Sequence, residues 1–195
     1  MTRIGEASSA LRKNLLLPSD FGWTIGYVLL QISEPKTRYK AARHQVARVD
    51  RPQLVRVIEL AFRNFATADP LWPFSGQTLR GRFGKLLEVL GLSGPLGDSG
   101  RGLDLGSLRA GGATWLLLTS EDSELVRRRG RWLNSRTMEI YIQESSALQF
   151  LPSLNHRTRK LILHAVTVFP QVLAKFLEFD RLGIPKNAWH LLLCG

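Results

Sequence analysis

The chain has 195 residues, of which 44% are hydrophobic and 22% are charged, and this composition excludes a disordered or fibrous chain. Its 27 Lys and Arg residues outnumber 16 Asp and Glu residues, which gives a formal net charge of +11, so nucleic acid is the leading class of partner. Because there is a single cysteine, Cys194, and no evident signal segment or apolar run of about 18 residues, we expect an intracellular protein with neither disulfides nor a membrane partner.

The first predicted element is a helix over residues 4–17, because apolar side chains recur there at helical spacing until Pro18 interrupts the pattern. A β-hairpin is predicted next. Its strands lie within residues 23–32, which are rich in β-branched and aromatic side chains, and residues 43–49, which alternate weakly. Lys36 is predicted at the tip of the turn between them.

Two helices and a loop follow the hairpin. Asp50 is the predicted N-cap of the first helix, and Pro52 lies in its first turn. The apolar stripe predicted to face the core consists of Leu54, Val57, Ile58, Ala61, Phe62 and Phe65. The second helix is predicted over residues 77–90, and the glycine-rich residues 91–106 indicate a flexible connection.

The C-terminal half is predicted to be helical. Three consecutive helices are expected over residues 108–119, 121–129 and 135–145, and the last carries Tyr141. An amphipathic segment over residues 158–182, interrupted at Pro170, is expected to fold back on the core or to dock on a partner. The predicted fold class is therefore mainly α, of the α+β type, with a small β-hairpin sheet.

Several residues have the chemistry needed to cleave and rejoin a DNA strand. A tyrosine can hold the phosphate in a covalent link, and arginines stabilise the negative charge of the transition state. A lysine on a mobile hairpin can protonate the leaving 5′ oxygen, so that no metal is required. The chain contains tyrosine, arginine and lysine residues of these types in an ordered series of short motifs.

Four short motifs resemble, in the same order, the conserved boxes of the tyrosine recombinases, a phage-integrase-like family. They are TRIGEA at residues 2–7, PKT at residues 35–37, GSLRAGGAT at residues 106–114, and GRW at residues 130–132 followed by Tyr141. The resemblance implies a recombinase-like catalytic domain over residues 1–146, a helical tail over residues 147–195 packed on the domain or on a partner, and the absence of the family's separate N-terminal DNA-clamp domain. The GRW form is similar to that of recombinases from eukaryotic mobile elements.

The resemblance also implies roles for the individual residues. Arg3 and Arg109 would bind the scissile phosphate, and Glu6 would buttress Arg3. Lys36 would be the general acid, Trp132 would orient it, and Tyr141 would be the nucleophile. The neighbouring Arg127, Arg128 and Arg131 are expected to follow the DNA backbone. The implied partner is double-stranded DNA, on which the chain could form a homo-oligomer, with no cofactor and, in a eukaryote, a nuclear location.

Two alternatives remain open at this point. Gly106 stands where the family's second box usually begins with a histidine, and losing such a group typically costs ~10²-fold or more in rate, so the chain could be a catalytically inactive DNA-binding remnant. It could also be a helical protein-interaction domain with no nucleic-acid role. Type IB topoisomerases share the phosphotyrosine chemistry, but the spacing from Trp132 to Tyr141 favours recombinases.

Overall fold

The computed structural model describes residues 2–35, 45–94 and 102–194, which form a mainly helical protein with a small antiparallel sheet. The predicted mainly α, α+β class is thereby confirmed. The helices are α1 (Ile4–Ser8), α2 (Pro52–Phe62), α3 (Gly76–Val89), α4 (Ser107–Ser120), α5 (Ser123–Gly130), α6 (Ser135–Glu139), α7 (Glu144–Ser153), α8 (His156–Arg181) and α9 (Trp189–Cys194). The strands are β1 (Leu15–Leu16), β2 (Val28–Ile32) and β3 (Gln45–Val49). The predicted turn with Lys36 and part of the glycine-rich connection, residues 95–101, lie outside the described residues.

The sheet has the strand order β1-β2-β3. Strands β2 and β3 form the predicted hairpin, with Val28 opposite Val49. Strand β1 adds a third strand that the sequence did not predict, with Leu15 opposite Leu30. Because successive side chains of a strand point to opposite faces, Val28 and Leu30 share one face of β2, and Leu15 lies opposite Leu30 on the same face. This face packs in one buried cluster with Val55 of α2. The inner face of the sheet therefore packs on α2.

The predicted helix over residues 4–17 is wrong beyond Ser8, because the chain then forms a 3₁₀ turn at Arg12–Asn14 and enters β1. The cause is Arg12, a buried residue. Its guanidinium donates to the carbonyl oxygens of Leu15 (2.6 Å) and Phe62 (3.0 Å) and to Oδ1 of Asp20 (2.7 Å). A buried guanidinium needs such acceptors, and the turn places all of them within its reach.

Helix α2 differs from its prediction in two respects. Its N-cap is Arg51 rather than Asp50, and Asp50 is instead paired with Arg129. The predicted apolar stripe is correct at Ile58, which packs under the sheet, but Leu54 is exposed. Leu60, outside that stripe, packs on the other side, in the cluster with Phe179 of α8. Because α2 lies between the sheet and α8, it has two buried faces, which a single stripe does not describe.

The predicted helix over residues 135–145 is interrupted at Tyr141. Helix α6 ends at Glu139, and Tyr141 lies in the turn before α7. The buried Thr114 of α4 explains the interruption, because its Oγ1 donates to the carbonyl of Tyr141 at 3.3 Å and accepts from the N–H of Gln143 at 2.9 Å. These two bonds hold the turn, and with it Tyr141, against α4.

Helix α8 runs without a break through Pro170, where the sequence predicted an interruption. A proline leaves the carbonyl four residues earlier without its helical donor. That residue, Val166, is 66% exposed, so water can bind the carbonyl and the helix continues. The two ends of α8 pack on the body of the protein, with Ile162 in the cluster around Leu87 and Phe179 in the cluster with Leu60.

The middle of α8 is poorly covered by the rest of the chain. By length and composition α8 is apolar enough to cross a membrane, and 6% of the segment that meets this test is buried. The sequence analysis expected no apolar segment of about 18 residues, and α8 contains one by this test, so that expectation is wrong. Length and composition alone are weak evidence for a membrane span, so the absence of a membrane partner stays a prediction.

Candidate functional site

Three of the residues predicted from separate motifs meet in the structure. Arg109 of α4 lies over the rings of Trp132 and Tyr141, with its Cζ 4.7 Å from the centroid of the first and 5.5 Å from the centroid of the second. The two ring centroids are 5.1 Å apart. Arg109 and Trp132 are both buried, and Nη2 of Arg109 donates to the carbonyl of Gly130 at 2.6 Å. The guanidinium is therefore fixed directly beside the candidate nucleophile.

The local sequence around residue 130 explains how Trp132 reaches this position. Helix α5 ends at Gly130, and Arg131 then adopts the left-handed conformation with φ 58°. The N–H of Trp132 returns to the carbonyl of Arg127 at 3.0 Å, so the chain turns back and the indole lies under the end of the helix. A Cβ at Gly130 would overlap the Trp132 ring. Glycine is thus required where the backbone passes the indole.

Arg3 and Glu6 lie at the same site, at the N-terminal end of the chain. The carboxylate of Glu6 accepts from the backbone N–H of Arg3 at 2.8 Å and from its Nη1 at 3.1 Å. The predicted buttressing contact between Glu6 and Arg3 is present. The same carboxylate also forms an ion pair with Arg131, whose Nη1 donates to Gln45 of β3 at 3.3 Å. One carboxylate therefore joins α1, the end of α5 and, through Arg131, the sheet.

The site is electrostatically positive. Burial lowers the pKa of the Arg109 guanidinium, and the positive charges of Arg3 and Arg131 lower it further, while Tyr141 and Glu6 act in the opposite direction. Burial alone would raise the pKa of the Glu6 carboxyl, but hydrogen bonds from Arg131 and Arg3 hold it below its ordinary value. Three guanidiniums thus surround one ionised carboxylate, and a bound anion would reduce their mutual repulsion.

Gly106 is the N-cap of α4, three residues before Arg109, and its backbone conformation is compatible with any residue. A Cβ built there would lie 3.0 Å from Oδ1 of Asp104. That oxygen accepts from the N–H of Ser107 at 2.9 Å, so the carboxylate is held at the start of the helix. The position that the resemblance assigns to a histidine therefore has a carboxylate as its nearest group.

The remaining predicted residues are Lys36, Arg127 and Arg128. Lys36 lies outside the described residues. The guanidinium of Arg127 binds Glu124 and donates to the carbonyl of Trp132 at 3.0 Å, so it braces the turn, whereas Arg128 is exposed. The DNA contacts of these arginines stay predictions.

Sequence reasoning missed two residues of the site. Gly130 supplies the carbonyl that holds Arg109, and Gln45 binds Arg131 from the sheet. Gly130 is the first residue of the GRW motif, so the sequence could have pointed to it, but no sequence signal pointed to Gln45.

In the part of the chain that the structure describes, no three His, Cys, Asp or Glu side chains are grouped as candidate metal ligands. No family model, curated protein or solved structure matches this chain.

Proposed function

We propose that this chain binds double-stranded DNA and cleaves one strand by attack of Tyr141 on a phosphodiester, as the tyrosine recombinases that its motifs resemble do. The observation that carries the proposal is the position of Arg109 over the rings of both Trp132 and Tyr141, with Arg3 and Glu6 at the same site. These residues come from motifs distributed over most of the chain. Chance similarity of short motifs gives no reason for their side chains to converge.

Cleavage of a DNA phosphodiester depends more on stabilising the negative charge of the transition state than on general acid–base catalysis. The Tyr141 oxygen would form a bond to phosphorus while the bond from phosphorus to the 5′ oxygen breaks, leaving a 3′-phosphotyrosyl link and a free 5′-hydroxyl. Arg3 and Arg109 would bind the nonbridging oxygens, on which negative charge increases in the transition state. The phenol proton passes to solvent, and Lys36 would supply the proton that the 5′ oxygen takes up. Attack by a 5′-hydroxyl of a second strand reverses these steps and completes strand transfer.

A cleft next to the site offers space for the DNA backbone. It has a volume of about 640 Å³, is lined by Arg3, Glu6 and Lys13 and, at and after the end of β2, by Ile32 and Glu34, and shares Arg3 and Glu6 with the site but not Arg109 or Tyr141. Lys13 is exposed at its rim. With the net charge of +11, we expect DNA binding that weakens steeply as salt increases, by about 0.9 in log–log slope for each phosphate contacted.

The decisive experiment uses a nicked suicide duplex, from which the short 5′-hydroxyl fragment diffuses away after cleavage and traps the covalent intermediate. We expect a protein–DNA adduct that resists denaturation, and no adduct with Tyr141→Phe, which preserves the ring contact with Trp132 but lacks the nucleophile. Mass spectrometry of the adduct should place the nucleotide on Tyr141. Equal adduct yields from the wild-type chain and Tyr141→Phe would contradict the proposal.

Gly106 favours a second candidate function, a DNA-binding protein that no longer cleaves. In that case the wild-type chain binds duplex DNA without forming the adduct. Gly106→His would then restore adduct formation, provided that Asp104 moves by a few tenths of an ångström to admit the new Cβ. Gly106→Ala, which adds the same Cβ without an imidazole, is the matched control and should restore nothing.

The exposed apolar residues of α8 favour a third candidate, a protein-interaction domain. Leu163 is 51%, Val166 is 66% and Phe169 is 47% exposed, and a surface of this kind often binds protein. This function predicts weak DNA binding with little salt dependence, so the salt titration separates it from the first two.

A further inference from the structure

Arg131 occupies a backbone position that does not favour an arginine. It follows the last residue of α5 in the left-handed conformation, with φ 58°, for which glycine or asparagine is preferred. An arginine at such a helix end would ordinarily extend into water. Here its side chain is 8% exposed. The contacts made by the guanidinium must therefore favour this arrangement.

Those contacts lead to the N-terminal end of the chain. Arg131 forms an ion pair with Glu6, whose side chain is also 8% exposed, and donates to Gln45. As whole residues none of the five in α1 is buried, although the Glu6 side chain is enclosed, and a helix of this length has little stability of its own. The ion pair of Glu6 with Arg131 connects α1 to the end of α5, and because Glu6 also binds Arg3, this pair links Arg3 to the rest of the protein.

Arg3 and Arg131 differ in what they can offer to DNA. The Arg3 side chain is 37% exposed, so its guanidinium can reach a phosphate while it remains bonded to Glu6. Arg131 is enclosed and already shared between Glu6 and Gln45. Arg109 is as buried but donates to the neutral carbonyl of Gly130, whereas Arg131 would have to give up a carboxylate partner to bind a phosphate.

From these observations we propose that Arg131 is a positioning residue, which orders Arg3 through Glu6 and does not itself contact DNA. The proposal rests on the function proposed above, because it identifies what holds one of the two phosphate-binding arginines in place. It also separates Arg131 from the exposed Arg128, to which the same sequence pattern assigned the same role.

The first test uses the free protein and measures the mobility of the Arg3 Nε–H group by ¹⁵N relaxation. We expect an ordered Arg3 in the wild-type chain and a mobile one in Arg131→Gln. Arg128→Gln, which removes the same charge from an exposed position, is the matched control and should leave Arg3 ordered. If Arg131→Gln fails to fold, Arg131→Lys serves instead, because it keeps the charge but cannot span both Glu6 and Gln45. An Arg3 that stays ordered in these variants would overturn the proposal.

The second test is a double-mutant cycle on duplex DNA binding across a range of salt concentrations. Arg3→Gln should lower the salt slope by about 0.9, the value for one phosphate contact. Arg131→Gln should lower it as much, and the double variant no further, because both remove the same contact. Arg128→Gln combined with Arg3→Gln should be additive. Additive losses for Arg3 and Arg131 would show that Arg131 contacts DNA directly. Wild-type binding by folded Arg131→Gln would show that Arg131 has a purely structural role. Either result would overturn the proposal.

Neither of the two tests requires DNA cleavage. The absence of a covalent adduct would therefore count against the proposed function, while these tests would still decide the role of Arg131. If the wild-type chain does not bind DNA, the free-protein test alone decides it.

Discussion

Gly130 combines two requirements in one residue. Its carbonyl accepts from Arg109, and its α-carbon faces the Trp132 ring so closely that no Cβ fits between them. The resemblance to recombinase motifs directs attention to Arg109, Trp132 and Tyr141, whose side chains carry the chemistry. In the structure, Gly130, which has no side chain, contacts both Arg109 and the Trp132 ring and so fixes the position of one relative to the other.

We expect Gly130→Ala to destabilise the protein by about 3 kcal/mol, because the added methyl group must displace the indole. Urea unfolding followed by tryptophan fluorescence measures this loss. Gly111→Ala is the matched control, since Gly111 lies in α4 with nothing within 4 Å of a built Cβ. It should stabilise the protein by roughly 1 kcal/mol, because glycine disfavours a helix interior. A neutral Gly130→Ala would mean that the close packing on Trp132 is not maintained in solution.

At the scale of single elements, the segment between α1 and β2 depends on Arg12 and Asp20. The hydrogen bond from Arg12 lowers the pKa of the Asp20 carboxyl, against the effect of burial and with help from the N–H of Leu17. A carboxyl whose pKa is lower in the folded state stabilises the fold above its unfolded pKa of about 4. This contribution is lost as the pH falls through the folded-state pKa.

We therefore expect the free energy of unfolding of the wild-type chain to fall more steeply below about pH 4 than that of Asp20→Asn, which cannot ionise. Urea unfolding at pH 6, 4 and 3 provides the comparison. Asp69→Asn, which alters a carboxylate that caps a nearby backbone N–H, controls for the loss of one acidic group. If the wild-type chain and Asp20→Asn lost stability in parallel, the Arg12 contact would contribute nothing.

The elements that could be predicted from the sequence are those whose pattern is local. The β2–β3 hairpin and helices α3, α4 and α5 follow from alternation or helical spacing. Two of the errors occur where a distant polar group decides the backbone. Arg12 ends the N-terminal helical region by reaching Phe62, and Thr114 interrupts the helix at Tyr141. Neither contact has a signal in the residues around it.

The candidate site follows the same division. Arg3, Glu6, Arg109, Trp132 and Tyr141 could be predicted because four motifs occur in a family's order, and the structure brings these five together. The role of Arg131 could not be predicted, because nothing in the sequence shows which of Arg127, Arg128, Arg129 and Arg131 is buried. These arginines differ in burial and in bonding partner, and both properties depend on how α5 packs against the sheet.

At the scale of the whole molecule, the C-terminal segment contributes to the core of the body. Phe179 packs with Leu60 of α2 and with Trp189, and Arg63 of the chain after α2 binds both oxygens of Asp180 at 2.7 Å. With Ile162 packed in the cluster around Leu87, the segment over residues 147–194 is thus joined to the N-terminal half at both ends of α8. Its removal would expose Leu60.

Two phenylalanines of α8 test this packing. Phe179 is 9% exposed and Phe169 is 47% exposed, so the same substitution has different consequences ten residues apart. We expect Phe179→Ala to cost about 3 kcal/mol or more, whereas Phe169→Ala should change stability by less than about 0.5 kcal/mol. Thermal or urea unfolding of both variants gives the comparison. Equal, small effects would show that the C-terminal segment does not share the core.

The crowding of Arg3, Arg109 and Arg131 around Glu6 has a consequence for how binding and folding are linked. A ligand that relieves repulsion in the native state, and has no such preference for the unfolded chain, shifts the folding equilibrium by mass action. A phosphodiester held at this site would therefore tighten the attachment of α1 as well as occupy the guanidiniums. Under the proposed function, DNA binding and the docking of α1 would then be thermodynamically coupled, so that bound DNA would stabilise the N-terminal part of the fold.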